Sequence, residues 1–236
     1  MGKYDSSKYR VRPLMRFIGK DSAKLEKLQR IVECDNIPSM PNIRVDSIFE
    51  AAYTDEDKKE KQLKPLPQHL DAMKELNRQG KLLKTPPGTS KLEGNTHPDI
   101  FVETDKYIIV VEAKWTEATT TTKTTYLKNR DQLIRHIEGA INYASQKEVL
   151  AFYIVDEDDF LKHNQKNRTK LSLIGFVSAL RRETVQKPNL SEAIKSAYKG
   201  YTTWQKLEES FGKENLLFIT KEDEVLIKYD QSLLGG

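Results

Sequence analysis

The stretch that decides the fold is HPDIFVETDKYIIVVEAKW, residues 97–115. It holds an acid that follows a proline, Asp99, then a short apolar run, a polar turn, a second apolar run and the triplet Glu-Ala-Lys at 112–114. The second run, 107–111, is aromatic and β-branched, which predicts a buried strand. Charged residues at the end of such a strand require a physical reason, because buried charge is costly without partners.

A hairpin is the structure that this pattern predicts. Residues 104–106 have turn chemistry, so 100–103 and 107–115 are expected to pair as antiparallel strands. Because successive strand side chains point to opposite faces, Glu112 and Lys114 share one face of the second strand.

The register of the hairpin decides whether the acids meet. We expect Glu103 to face Lys106, which puts Asp99 opposite Val110 and diagonal to Glu112, with Cα atoms roughly 7–8 Å apart. A shift of one residue would put the two acids on opposite faces.

Two carboxylates and an ammonium on one face predict a site for Mg²⁺ and a phosphate, with Mn²⁺ as a substitute. The cation would bind Asp99, Glu112, the Ala113 carbonyl and several waters. It would polarise a phosphoryl oxygen and activate a bound water, while Lys114 orients that water or stabilises developing charge. The chemistry implied is phosphodiester hydrolysis. The plain alternative is a hairpin with a solvated, charged end.

The pattern Pro98-Asp99 followed by Glu112-Ala113-Lys114 resembles the signature of the PD-(D/E)xK nuclease superfamily. The resemblance covers residues 95–144. It implies a restriction-endonuclease-like α/β fold, with a mixed β-sheet flanked by helices, and a metal-dependent deoxyribonuclease activity.

A further acid is implied by the same resemblance, because these nucleases often carry one on a helix before the first core strand. The segment Val45 to Tyr53 is predicted to be a helix, and Glu50 is its best positional match. The alternative is that Glu50 lies on the solvent face of that helix.

A helix at about residues 128–145 follows the lysine strand and carries an apolar stripe. Beside the stripe, Gln132, His136, Gly139 and Tyr143 align along the helix. Some relatives carry a Gln and an aromatic residue on this helix. Gln132 fits that pattern and is expected to contact the substrate, whereas His136 stands where a Tyr would be expected. We expect His136 to contact phosphate or to support the site, or simply to be a hydrogen-bonded histidine of the helix face.

Two arginines near the start of this helix are candidate phosphate contacts. Arg130 and Arg135 could neutralise the scissile phosphate or its neighbours. Arg135 could equally pair with Asp131 one turn earlier.

The rest of the core is predicted from apolar runs. Residues 149–155, VLAFYIV, indicate a central strand, so strand, strand, helix and strand follow in the order that the superfamily core would show. The expected sheet has four to six strands. Residues 171–180 fit a strand or a helix, 190–211 predict one or two helices, and 215–220 predict an edge strand.

Length and composition bound the class of protein. The chain of 236 residues, with net charge +4, predicts a single nuclease-like domain: a basic helical extension at 1–42 and a core at 43–236. A helix is expected from Asp21 or Ser22 to about Glu33. The extension interleaves basic and aromatic residues, which fits either a phosphate-tracking arm or a solvated leader. The lone cysteine, and the absence of a secretory signal or an apolar run of membrane length, predict a cytoplasmic protein.

The function predicted from the sequence is a Mg²⁺-dependent DNA endonuclease, similar to restriction or defence nucleases. Cutting of both strands would imply a two-fold homodimer. One alternative is a catalytically inactive nuclease-like fold that binds nucleic acid or a protein partner. Another is a nuclease that acts on RNA or on DNA ends.

Overall fold

The computed structural model describes residues 7–19, 21–32, 48–53, 63–64, 78, 96–115, 120–121, 130–183 and 188–218. A five-stranded sheet in the order β1-β2-β3-β6-β7 forms its centre, and β4 and β5 form a separate two-stranded sheet. The strands are β1 Ile48–Tyr53, β2 Ile100–Thr104, β3 Tyr107–Ala113, β4 Thr120–Thr121, β5 Arg130–Asp131, β6 Glu148–Val155 and β7 Tyr198–Thr203.

Helices flank the sheet, so the α/β class with a mixed sheet of four to six strands is confirmed. No helix in the described part of the chain is long and apolar enough to cross a membrane. The α-helices are α1 Arg12–Ile18, α2 Ser22–Arg30, α3 Gln132–Tyr143, α4 Gln165–Leu171, α5 Leu173–Glu183, α6 Pro188–Ala197, α7 Trp204–Phe211 and α8 Lys213–Leu216, with π-helical turns at Ser7–Val11 and Glu157–Lys162.

The connectivity of the sheet follows from its strand directions. β1, β2 and β3 are antiparallel neighbours, whereas β3 pairs with β6 and β6 with β7 in parallel. A parallel pair needs a crossover, and α3 supplies it between β3 and β6. The predicted succession of strand, strand, helix and strand is therefore confirmed. β6 is buried along almost its whole length, as its apolar sequence predicts.

Two apolar layers lie on opposite faces of the sheet. One contains the inward side chains of α3 together with Phe101, Val110 and Tyr153. The other contains side chains of α1, α2 and α7 together with alternate residues of the same strands, such as Val111. Glu112 follows Val111 and so points to the α3 layer, which sets the face on which the candidate site lies.

The register of the β2–β3 hairpin differs from the prediction by two residues. Glu103 pairs with Ile108 rather than Lys106, and the ladder ends with Ile100 opposite Val111. The turn explains this shift, because the Thr104 hydroxyl accepts the N–H of Tyr107 at 2.9 Å. β2 therefore ends at Thr104 and β3 begins at Tyr107. Because strand side chains alternate with a period of two, a shift of two residues leaves every side chain on its predicted face of the sheet.

The predicted helix around Glu50 is wrong, because the segment forms β1. The edge of β2 offers backbone hydrogen bonds, and this pairing outweighs the local helix preference of Glu and Ala. Glu50 pairs with Glu103, four residues along β2 from Asp99, or about 13 Å at the rise of a strand. The register therefore does not bring Glu50 to Asp99.

Near the chain ends the outcome is mixed. The helix predicted from Asp21 or Ser22 is confirmed as α2, and Asp21 Oδ1 accepts the N–H of Lys24 at 3.1 Å. Residues 173–180 are helical and belong to α5, whereas α4 ends at Leu171. A strand, β7, interrupts the helices predicted at 190–211. The predicted edge strand at 215–220 is wrong where the chain is described, because α8 occupies its start.

Candidate functional site

The candidate site lies where β2 begins and β3 ends. Asp99 immediately precedes β2, and its Oδ2 accepts the backbone N–H of Ala113 at 2.8 Å. Glu112 is the second-last residue of β3, and Lys114 follows the strand. The hairpin therefore brings together the three residues that the sequence motif singles out.

Glu112 is the centre of a buried polar cluster. Its side chain is almost fully enclosed, with Oε1 2.5 Å from Lys114 Nζ and Oε2 2.6 Å from His136 Nε2. Lys114 reaches Glu112 because both lie on one face of the extended chain, as alternation predicts. His136 reaches it from α3, which packs on that face.

The surroundings of Glu112 keep it ionised. Burial alone would raise its pKa, but the charges of Lys114 and His136, and their hydrogen bonds to the carboxylate, lower it from 4.5 to about 2. Glu112 is therefore a carboxylate at neutral pH, and His136 Nε2–H donates to it. An ionised carboxylate is the form in which a glutamate can bind a cation.

His136 has a second partner that the sequence did not predict. Its Nδ1 lies 2.7 Å from the Thr96 hydroxyl, and both side chains are buried. Thr96 belongs to an isolated antiparallel bridge with Leu63, a residue more than thirty positions earlier in the chain. Only its place just before the Pro98-Asp99 pair could have suggested a role in the site.

The backbone of Lys114 is held from two sides. Its N–H donates to the carbonyl of Ile154 on β6 at 2.7 Å, and its carbonyl accepts the indole N–H of Trp204 at 3.0 Å. The next residue, Trp115, stacks under the guanidinium of Arg10, 4.4 Å from the ring centre. These contacts restrict the position from which the Lys114 side chain reaches Glu112.

Arg130 is not where a substrate contact would be expected. Its guanidinium is buried and forms an ion pair with Glu138, one of the buried residues of α3. A group enclosed in this way does not face solvent, so this arrangement does not support the phosphate-binding role of Arg130, which stays a prediction. The pair instead ties β5 to α3.

The other predicted contacts lie on the same helix. Gln132 is the first residue of α3 and Arg135 is one turn further, and both are partly buried. His136 is the residue of this group that touches Glu112. His97, beside Asp99 in sequence, is exposed.

A third acid, Asp131, lies at the start of α3. It caps the helix by accepting the N–H of Ile134 at 3.2 Å, and it accepts the hydroxyl of Tyr153 at 2.6 Å. Burial raises the pKa of Asp131, and burial together with the Asp131 charge raises the pKa of Tyr153. Tyr153 pairs with Glu112 across β3 and β6, so this acid belongs to the surroundings of the site.

The oxygen atoms near the ends of β2 and β3 are of the type that a hard divalent cation prefers. Among the described residues there is no group of three or more His, Cys, Asp or Glu residues arranged as a metal cluster. Mg²⁺ does not require one, because it commonly binds one or two carboxylates and keeps several waters. Asp99, Glu112 and the Ala113 carbonyl offer oxygen ligands. A carboxylate oxygen that accepts one hydrogen bond still has a second lone pair.

No family model, no curated protein and no solved structure matches this chain. Membership of the PD-(D/E)xK superfamily therefore stays a prediction from the motif. The roles of Asp99, Glu112 and Lys114 are inferred from their chemistry and their arrangement.

Proposed function

We propose that this protein is a Mg²⁺-dependent DNA endonuclease of the PD-(D/E)xK type. The observation that carries the proposal is the meeting of Asp99, Glu112 and Lys114 at the ends of two paired strands. Two carboxylates can bind a metal ion that assists phosphodiester hydrolysis, and a nearby ammonium can stabilise the charge that develops.

Each residue has a distinct role in this proposal. Asp99 and Glu112, with the Ala113 carbonyl, would hold the cation, and the cation would supply Lewis-acid chemistry. Lys114 Nζ, 2.5 Å from Glu112 Oε1, donates hydrogen bonds to the attacking water or to the phosphoryl oxygen that gains charge. The two hydrogen bonds to the Lys114 backbone fix the point from which its side chain reaches Glu112.

The connectivity of the sheet gives additional support. Two antiparallel strands, β2 and β3, lead into a crossover helix and a parallel strand, which is the order that the superfamily resemblance implies. Strand connectivity alone does not identify a function, because unrelated proteins share folds. Its agreement with a motif at the expected strand ends strengthens the proposal.

A second candidate is a nuclease-like fold that binds nucleic acid or a protein partner without cutting. The observation in its favour is that Lys114 and His136 already engage both oxygens of Glu112. Two such partners neutralise the carboxylate without any metal. Stabilisation by Mg²⁺ separates the candidates, because a ligand that binds only the folded state raises the free energy of unfolding.

The decisive experiment is a cleavage assay with Asp99→Asn as the test variant. Asparagine keeps an oxygen that can accept the Ala113 N–H, but it removes the charge that would bind the cation. Asp105→Asn, an exposed acid in the hairpin turn, is the matched control. Supercoiled plasmid, linear duplex, single-stranded DNA and RNA are each incubated with Mg²⁺, Mn²⁺ or EDTA.

Cleavage of DNA that needs both the metal and Asp99 would support the proposal. Cleavage of RNA, or of ends alone, would move it to the alternative nuclease classes. Binding without cleavage, together with no stabilisation by Mg²⁺, would favour the non-cutting candidate. Cuts in both strands, together with a mass in solution twice that of one chain, would support a homodimer.

A further inference from the structure

A buried chain of hydrogen bonds leads from Thr96 to the candidate metal ligand. The Thr96 hydroxyl lies 2.7 Å from His136 Nδ1, and His136 Nε2 lies 2.6 Å from Glu112 Oε2. All three residues are at most 6% exposed. The two ring nitrogens of His136 are therefore both engaged away from bulk water.

The position of Thr96 is fixed by backbone contacts. Its N–H and carbonyl exchange two hydrogen bonds of 2.9 Å with Leu63. This bridge lies directly against α3 at Gly139, where an added Cβ would stand 2.8 Å from Leu63 Cβ and 3.4 Å from Thr96 Cγ2. Glycine at 139 thus permits the close approach that brings the Thr96 hydroxyl to His136.

The hydroxyl suits this place for a chemical reason. Because Glu112 is a carboxylate, His136 Nε2 must donate to it, which leaves Nδ1 for Thr96. A threonine hydroxyl donates to Nδ1 when the ring is neutral and accepts from it when the ring is protonated. It can therefore hold the ring in one orientation in either state, whereas an apolar side chain cannot.

We propose that Thr96 is a positioning residue of this site, acting through His136 to orient the Glu112 carboxylate. The inference rests on the proposed function, in which Glu112 binds the cation. Lys114 fixes Oε1 and the Thr96–His136 pair fixes Oε2, so together they set the plane of the carboxylate. Partners that orient metal ligands in this way typically change metal affinity or activity when they are removed.

The test compares two substitutions at the same position. Thr96→Val keeps the shape of the side chain and removes the hydroxyl, and Thr96→Ser keeps the hydroxyl. Thr104→Val is the control, because Thr104 is a buried threonine of the β2–β3 hairpin. Its hydroxyl accepts the N–H of Tyr107 in the turn, away from His136. Mg²⁺ affinity is measured by calorimetry, and kcat and KM for DNA at saturating Mg²⁺ are measured alongside.

We expect Thr96→Val to weaken Mg²⁺ binding or lower kcat by about 10- to 100-fold, with little change in KM. Thr96→Ser should restore most of the loss, and Thr104→Val should reduce stability alone. Wild-type Mg²⁺ affinity and kcat in Thr96→Val would overturn the proposal.

A second readout needs neither metal nor cleavage. The ¹⁵N resonances of the His136 ring and the ¹³C resonance of the Glu112 carboxylate are recorded in EDTA, with His136→Gln used for assignment. Thr96→Val should move both sets of resonances, and Thr96→Ser should not. Unchanged Glu112 resonances in Thr96→Val would overturn the positioning role. A wild-type protein without Mg²⁺ binding or cleavage would instead overturn the proposed function, while these spectra still decide the role of Thr96.

Discussion

The two ends of the β2–β3 hairpin each hold a glutamate bound to a lysine, but in different surroundings. At the turn end, Glu103 lies 2.6 Å from Lys147 and accepts the hydroxyl of Tyr143 at 2.9 Å. Lys147 and Glu103 keep 26% and 16% of their side chains exposed. At the open end, Lys114 and Glu112 keep 7% and 3%. The same pair of residue types is thus partly solvated at one end and enclosed at the other.

The difference shows which of the two pairs needs a reason beyond stability. A partly exposed ion pair is screened by water and contributes about 0–1 kcal/mol. An enclosed pair loses several kcal/mol of hydration, and apolar side chains of similar volume often serve stability as well. The enclosed cluster around Glu112 is consistent with the chemical role that we propose, because strongly perturbed pKa values tend to occur at functional sites.

The largest difference between the two ends of the hairpin is expected when the glutamate at each end is replaced. Glu112→Gln leaves the Lys114 ammonium enclosed without its carboxylate, so we expect a loss of roughly 3–5 kcal/mol in the free energy of unfolding. Metal-dependent cleavage should fall below detection. Glu103→Gln should cost at most about 1 kcal/mol and leave cleavage unchanged. Urea unfolding measures the free energy of unfolding, and the plasmid assay measures cleavage. Equal effects of the two substitutions would show that the enclosed pair has no role beyond that of the partly exposed pair.

Removal of each lysine tests the chemical role more directly. Lys114→Met keeps most of the side-chain length and removes the ammonium, so the rate of cleavage should fall by about 10²–10³-fold. DNA affinity should change less than the rate, because the proposed role of Lys114 lies in the chemical step. Lys147→Met at the turn end should cleave at the wild-type rate. Single-turnover cleavage and gel-shift titration give the two quantities, and a fully active Lys114→Met protein would exclude Lys114 from the chemistry.

The open end was largely predictable from the sequence because its geometry is local. The strand period puts Glu112 and Lys114 on one face, and the turn fixes the face of Asp99 even though the register differs by two residues. His136 was predicted as a site candidate from its place on the helix. Each of these inferences needs only one hairpin or one helix.

What the sequence did not predict depends on distant contacts. Thr96 reaches the site through its bridge to Leu63, a pairing that no local period encodes. The residues around Glu50 predict a helix, because their own sequence carries no information about the edge of β2 with which they pair. Arginine commonly contacts phosphate, and only the packing of α3 shows that Arg130 forms a buried ion pair with Glu138.

The pH dependence of stability should also distinguish the open end. The pKa of Glu112 is about 2 in the folded protein and 4.5 as its ordinary value. Its contribution is therefore present above pH 4.5 and is lost as the pH falls toward 2, an effect of roughly 3 kcal/mol. Unfolding curves in EDTA from pH 6 to 2 should be flatter for Glu112→Gln than for wild type.

Two comparisons make this pH experiment specific. Glu103→Gln supplies the baseline for removing a glutamate from the same hairpin. Asp131, whose pKa is raised by burial and to a lesser extent by the Glu112 charge, contributes stability at low pH that is lost as the pH rises. This contribution cancels between wild type and Glu103→Gln, whereas Glu112→Gln also removes the part of it that Glu112 causes. Parallel wild-type and Glu112→Gln curves would contradict the depressed pKa, and a ¹³C titration of the Glu112 carboxylate would test it directly.

The smallest expected effect tests how the open end is held from outside the hairpin. In Gly139→Ala the new methyl group would stand 2.8 Å from Leu63 Cβ, so the Leu63–Thr96 bridge must shift, at a cost of about 1–3 kcal/mol. Ala140→Gly, at the next helix residue, which is also buried, costs about 1 kcal/mol through helix propensity and adds no atom beside the bridge. If Thr96 positions Glu112 through His136, Gly139→Ala should also weaken Mg²⁺ binding, whereas Ala140→Gly should not. Equal Mg²⁺ affinity in the two variants, at matched stability, would mean that the bridge supports the fold and not the site.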